Sequence, residues 1–191
     1  MGRLLLVRHA ESEGNRDRVF TPHPGIPLTE RGRAQAQAAA EWLAAHCAPV
    51  GIVTSPYTRA QQTADILAAA LRLRPRVEED LRERSYGGLA GRPYDVVRGL
   101  VDPVAYWEWC PPDGGETLVQ VAARAGAVLD RLVAEAPGDD VIVVSHGAVM
   151  MGLWQHVTGV WRQGRVARNA GIFVVEHRDG RYLGATAVED G

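Results

Sequence analysis

"LLLVRHAESEGN", Leu4 to Asn15, is an apolar run that breaks at Arg8-His9 and turns wholly polar. Leucine and valine dominate Arg3 to Val7, and polar residues bound it, which predicts a short strand buried on both faces. Such strands belong to parallel α/β sheets, where ligands bind beyond the carboxyl ends of the strands. Arg8 and His9 lie at that end. Two further stretches have the same form: "GIVTS", Gly51 to Ser55, and "VIVVS", Val141 to Ser145.

Helical patterns separate these strands. Thr29 is placed to cap a helix with Ala34, Ala38, Trp42 and Ala45 on one face, stopped by Pro49. Pro56 ends the second strand, and Thr58 is expected to cap a helix from Arg59 to about Leu71. An amphipathic helix is expected from Thr117 to Ala136, and another from Gly147 to Val157, directly after the third strand. "GIFVVEHRDGRYLGATAV" reads as a hairpin turning at Asp179-Gly180. "SYGGLAGRPYD" and "WCPPDGGET" carry enough Gly and Pro to read as loops around short helical pieces. The alternation predicts an α/β fold: a three-layer α/β/α sandwich with a mostly parallel central sheet and a C-terminal edge hairpin. The length of 191 residues favours one domain over 1–191, with an insert at about 87–115 covering the active site.

Composition narrows the function. Apolar residues make up 46% and charged residues 23%, which is ordinary globular usage. A net charge of −2 gives no global attraction to nucleic acid or to an anionic membrane, so an anion site has to be local. The chain contains no lysine, which excludes Schiff-base and P-loop lysine chemistry. Cys47 and Cys110 lack zinc or redox spacing and read as reduced packing residues. The first apolar run is too short for a signal peptide, and no stretch has membrane-spanning length. The expected location is cytoplasmic.

If the three strands are neighbours, their ends bring together Arg8, His9, Arg59 and His146. Two guanidinium forks suit a tetrahedral dianion, and helix N-termini at Arg59 and Gly147 add backbone donors. An imidazole there either donates to phosphate oxygens or attacks phosphorus. His23, His46, His156 and His177 have no comparable context and read as structural. No histidine pair has zinc-motif spacing, so neither metal nor cofactor is expected.

"LLLVRHAESEGN", "PLTERGRAQA", "TSPYTRAQQTA", "LRERSYGGLAG", "GGET" and "VIVVSHGAVM", in that order, resemble the motifs of the histidine phosphatase superfamily, in its phosphoglycerate mutase-like branch. The match runs from Leu4 to about Met150. The resemblance implies that His9 is the nucleophile that becomes phosphohistidine, and that Arg8, Arg59 and His146 hold the phosphoryl group. It makes Glu83 the general acid and base. Asn15 and the backbone N–H of Gly147 become further phosphate contacts, and Ser12 a substrate neighbour. Ala10 stands where the family commonly has glycine, a change that is tolerable unless the backbone there needs a positive φ.

The family's mutases carry a lysine and an arginine pair between the Glu motif and the long helix. Here that insert, "RPYDVVRGLVDPVAYWEWCPPDGGET", has neither and centres on Tyr106, Trp107 and Trp109. The departure favours hydrolysis over mutation. The rings either stack on a partly apolar leaving group or pack the insert onto the domain. Arg16 and Arg18 are candidates for a second anionic group on the substrate. The leading expectation is a metal-independent phosphomonoesterase acting on a small phosphorylated metabolite. The alternatives are a cofactor-dependent phosphoglycerate mutase and a catalytically silent phosphate-binding regulatory module. An apolar helix face or the edge hairpin leaves a homodimer open.

Overall fold

A computed structural model of the chain describes residues 1–21, 23–98, 106–161 and 167–188. Six strands form one sheet in the order β3-β2-β4-β1-β5-β6: β1 Gly2–Arg8, β2 Pro49–Thr54, β3 Pro75–Val77, β4 Asp140–Ser145, β5 Ile172–Arg178 and β6 Arg181–Ala187. β1, β2, β3 and β4 pair in parallel, while β5 runs antiparallel to both β1 and β6. The helices are the single turn α1 (Glu13–Arg16), α2 (Glu30–His46), α3 (Thr58–Leu71), α4 (Leu118–Glu135) and α5 (Gly147–Thr158).

The sheet is the middle layer, and β1 is one of its interior strands. Leu4 and Leu6 face one core with Val121, Leu129 and Leu153 of α4 and α5, and Leu5 and Val7 face the other with Leu43, Ala60 and Leu67 of α2 and α3. All four β1 side chains have no exposed surface, which is why the run is continuously apolar rather than alternating. The hairpin turns where expected, with Asp179 and Gly180 both at positive φ (50° and 76°), the twist a two-residue hairpin favours. Among the described residues no helix is long and apolar enough to cross a membrane.

Local expectations need correction in three places. In α2, Ala34, Ala38 and Ala45 are exposed and Trp42 is only half-buried, while Gly32, Ala36, Ala39, Ala40 and Leu43 form the buried face. Alanine lies on every side of this helix, so apolar periodicity does not select a face; the close approach at Gly32 and the bulk of Leu43 do. Thr58 lies inside α3, whose N-cap is Tyr57 without a side-chain cap bond. Third, Pro75–Val77 forms an edge strand where no periodic signal exists, paired within the sheet with β2. Ala10 is fully buried without a positive φ, so its methyl group is accommodated.

Candidate active site

The order β2-β4-β1 makes the three strand ends neighbours. The His9 N–H donates to the Ser145 carbonyl at 2.8 Å, and the Ser55 N–H to the Val144 carbonyl at 3.0 Å. His9 and His146 follow β1 and β4 directly, their ring centroids 5.1 Å apart. Arg59 arrives from the first turn of α3, with 1% of its surface exposed.

Each polar contact narrows what these groups can do. His9 Nδ1 lies 2.7 Å from the Ala10 carbonyl, which only accepts, so Nδ1 carries the proton. Nε2 keeps its lone pair and accepts from Arg59 Nε at 3.2 Å. Burial, then the charges of Arg59 and Arg8, hold the His9 pKa well below its ordinary value. His146 is depressed for the same reasons, burial first. Its Nε2 is 2.6 Å from Ser55 Oγ, which also accepts from the Tyr57 N–H. With Ser55 donating to Nε2, neutral His146 presents an N–H at Nδ1.

Five buried side-chain nitrogens have no hydrogen-bond partner among the described residues, and three of them are Arg8 Nε, Arg59 Nη1 and His146 Nδ1. Buried donors left unpaired are costly in a folded protein. Two cationic donors and one neutral donor around a nucleophilic nitrogen are what a phosphoryl dianion would satisfy. Arg8 is anchored by donating from Nη1 to the Ala167 carbonyl at 2.6 Å. Burial lowers the pKa of both arginines and Glu83 opposes that shift.

A cleft of about 370 Å³ opens over this cluster, with Arg8, His9, Asn15, Arg59, Glu83 and Gly147 among its walls. Glu83 is half-buried and accepts the Arg84 N–H through Oε1 at 2.9 Å. Asn15 Oδ1 accepts from Ser12 and from Asn169 Nδ2. Asn15 Nδ2 is 3.4 Å from the Tyr94 hydroxyl. Ser12 is fully buried as the N-cap of α1, and its hydroxyl bonds to Asn15 rather than lining the cleft. Arg16 pairs with Asp17 and Arg18 with Asp95, both at exposed positions off the cleft.

The rings of the insert divide. Tyr106 lines the cleft, together with Phe20, Tyr86, Tyr94 and Met151. Trp107 stacks on Trp161 at 5.4 Å, and Trp109 lies under the Arg84 guanidinium. Residues 99–105 of the insert lie outside the described residues. Burial, then Glu83, raise the Tyr86 phenol well above its ordinary pKa, so it stays neutral. Sequence reasoning missed Ser55, Tyr86, Tyr94 and Asn169. Ser55 carries the one usable signal, a hydroxyl at the end of a buried strand; Tyr86 and Tyr94 reach the cleft, and Asn169 reaches Asn15, from segments without periodicity.

Comparison with known proteins identifies the family. The family model of the histidine phosphatase superfamily (branch 1) matches residues 4–187. A metal-independent phosphoserine phosphatase of Arabidopsis thaliana is 32% identical over 189 residues, covering 94% of this chain and 78% of that protein. A 2,3-bisphosphoglycerate-dependent phosphoglycerate mutase of Gloeobacter violaceus is 37% identical over 169 residues, covering 80% and 76%. A mycobacterial glucosyl-3-phosphoglycerate phosphatase, solved in complex with VO3, superposes with a TM-score of 0.85 at 30% identity, covering 97% and 96% of the two chains. The chain belongs to the histidine phosphatase superfamily, branch 1, and is a phosphoric monoester hydrolase of that family.

Proposed function

We propose that hydrolysis runs through a phosphohistidine on His9, with Glu83 as general acid and then general base. The observation that carries this reading is the neutral His9 Nε2 ringed by the unpartnered donors of Arg8, Arg59 and His146. Nε2 attacks phosphorus in line with the ester oxygen, the P–O bond breaks, and protonated Glu83 gives its proton to the leaving alcohol. A water then attacks the phosphohistidine, Glu83 takes its proton, and the P–N bond breaks to release phosphate. The two guanidiniums, His146 Nδ1–H and the Gly147 N–H hold the equatorial oxygens, with Asn15 Nδ2 at their edge.

The substrate is a small phosphomonoester whose leaving alcohol is uncharged and partly apolar. Arg8 and Arg59 are the only arginines among the described residues lining the cleft, and both belong to the phosphoryl pocket. Phe20, the three tyrosines, Val97, Ala148 and Met151, with Thr21 as a polar member, form most of the remaining wall, which suits an apolar or ring-bearing group. The same wall favours water over phosphoglycerate as phosphoryl acceptor.

The test is phosphate release, with chelator present, from p-nitrophenyl phosphate, phosphoserine, 3-phosphoglycerate and phosphates of uncharged alcohols, coupled to trapping of the phosphoenzyme in alkaline detergent. The expected result is an acid-labile phosphoenzyme, absent in His9→Ala, and a higher kcat/KM for the uncharged alcohols. Retained turnover in His9→Ala would overturn the mechanism. Preference for phosphoserine would overturn the substrate class, and 2- to 3-phosphoglycerate interconversion outpacing hydrolysis would restore the mutase.

A further inference from the structure

Glu116, in the "GGET" stretch, and Arg124, on α4, lie outside the cleft and have no part in the chemistry above. Their side chains nevertheless bond the loop that carries Glu83 at three carbonyls and one N–H. Arg124 Nη1 donates to the carbonyls of Asp80 at 2.6 Å and Arg82 at 2.8 Å, and Nη2 donates to that of Glu83 at 3.3 Å. The intervening Leu81 carbonyl accepts from Ser145 Oγ at 2.8 Å. Four successive carbonyls, from Asp80 to Glu83, are thus held by α4 and β4 rather than by the loop itself.

Glu116 completes the arrangement. Its carboxylate accepts from Arg124 Nε and Nη2, both at 2.9 Å, and from the Ser85 N–H at 2.8 Å. All five N–H groups of Arg124 are therefore used, two on Glu116 and three on the loop. The side chains are 11% and 17% exposed. Burial opposes ionisation of Glu116, but Arg124 and the Ser85 N–H outweigh it and keep its pKa low.

We propose that Arg124 and Glu116 are positioning residues for proton transfer, a buried clamp that fixes the reach of the Glu83 carboxyl to the leaving oxygen. The proposal rests on the reading of Glu83 as general acid. A planar five-donor fork is required, because a lysine ammonium offers three donors from a single point and cannot serve both the carboxylate and three carbonyls. Loosening the clamp displaces Glu83 while leaving Arg8, His9, Arg59 and His146 on their strands and helices.

The consequence is a dependence on the leaving group. An alkoxide needs a proton to depart, whereas p-nitrophenolate does not, so general-acid assistance of about 10²- to 10⁴-fold applies to the first substrate alone. Rapid quench into alkaline detergent, measuring phosphoenzyme formation from p-nitrophenyl phosphate and from an alkyl phosphate in Arg124→Lys, Glu116→Gln and Glu83→Gln, separates the effects. Arg124→Lys and Glu116→Gln are expected to slow the alkyl ester about 100-fold or more and p-nitrophenyl phosphate less than about tenfold, with KM unchanged. Adding Arg124→Lys to Glu83→Gln should slow the alkyl ester no further. Equal slowing of both esters, or slowing of neither, while Glu83→Gln shows the leaving-group dependence, overturns the clamp alone. Absence of that dependence in Glu83→Gln overturns the general-acid reading and the clamp with it. Should Arg124→Lys fail to fold, Glu116→Gln decides by the same criterion.

Discussion

At the scale of single residues, buried and neutral histidines set both chemistry and stability. His9 and His146 are 2% and 0% exposed, and burial beside Arg59 and Arg8 depresses both pKa values in the folded state. In the unfolded chain each titrates near 6.5. Above that pH neither state binds the proton and there is no effect. As the pH falls below about 6.5, the unfolded state takes up protons that the folded state refuses until its own lower pKa values are reached. Stability is therefore lost on acidification through that window, by up to roughly 1.4 kcal/mol per pH unit for each histidine. Urea unfolding across a pH series checks this: wild type should lose stability more steeply below pH 6.5 than His9→Asn, and equal slopes would contradict it.

At the scale of elements, the site depends on how closely helices approach the loop after β1. Thr29, the N-cap of α2, donates its N–H to the Glu11 carbonyl at 2.9 Å and its hydroxyl to Glu11 Oε1 at 2.8 Å. Gly32, one turn on, permits this contact: a Cβ there would stand 2.0 Å from the Glu11 carbonyl oxygen. Backbone cannot yield as a flexible side chain can. Gly32→Ala is expected to destabilise by about 1–3 kcal/mol, despite alanine's better helix propensity, because overpacking outweighs a preference of about 1 kcal/mol. The denaturation midpoint measures it, and a rise in stability would show that α2 can shift away from the loop. On the opposite side, Thr63 of α3 accepts from the Ala10 N–H at 3.1 Å, so α2 and α3 hold the loop between them.

At the scale of the whole molecule, the unpartnered donors tie ligand binding to folding. Arg8, Arg59 and His146 come together only when β1, β4 and α3 are assembled, so phosphate bound as proposed would select the folded state. Inorganic phosphate at about 100 times its Kd should stabilise by roughly 2.7 kcal/mol. For a chain of this size that is an increase in Tm of about 5–10 °C, at roughly 2–4 °C per kcal/mol. A thermal-shift titration tests it. A shift of the same size in Arg59→Ala would place the anion elsewhere.

By itself, the sequence determined the strands from Leu4, Ile52 and Val141, the long amphipathic α4 and the hairpin turn at Asp179-Gly180. Burial on both faces, helical period and turn chemistry are each written in consecutive residues. It also placed Arg8, His9, Arg59 and His146 at strand ends and a helix start, where the backbone leaves little freedom. The buried face of α2 was not legible, because alanine on all sides carries no periodic contrast. Nor were the role of Ser55 on His146, the division of Tyr106 from Trp107 and Trp109, or the hold of Arg124 on the Glu83 loop. These are contacts between segments 25 to 91 residues apart. No local pattern encodes them; the strand order β2-β4-β1 and the packing of α4 beside the loop bring the partners within hydrogen-bonding reach.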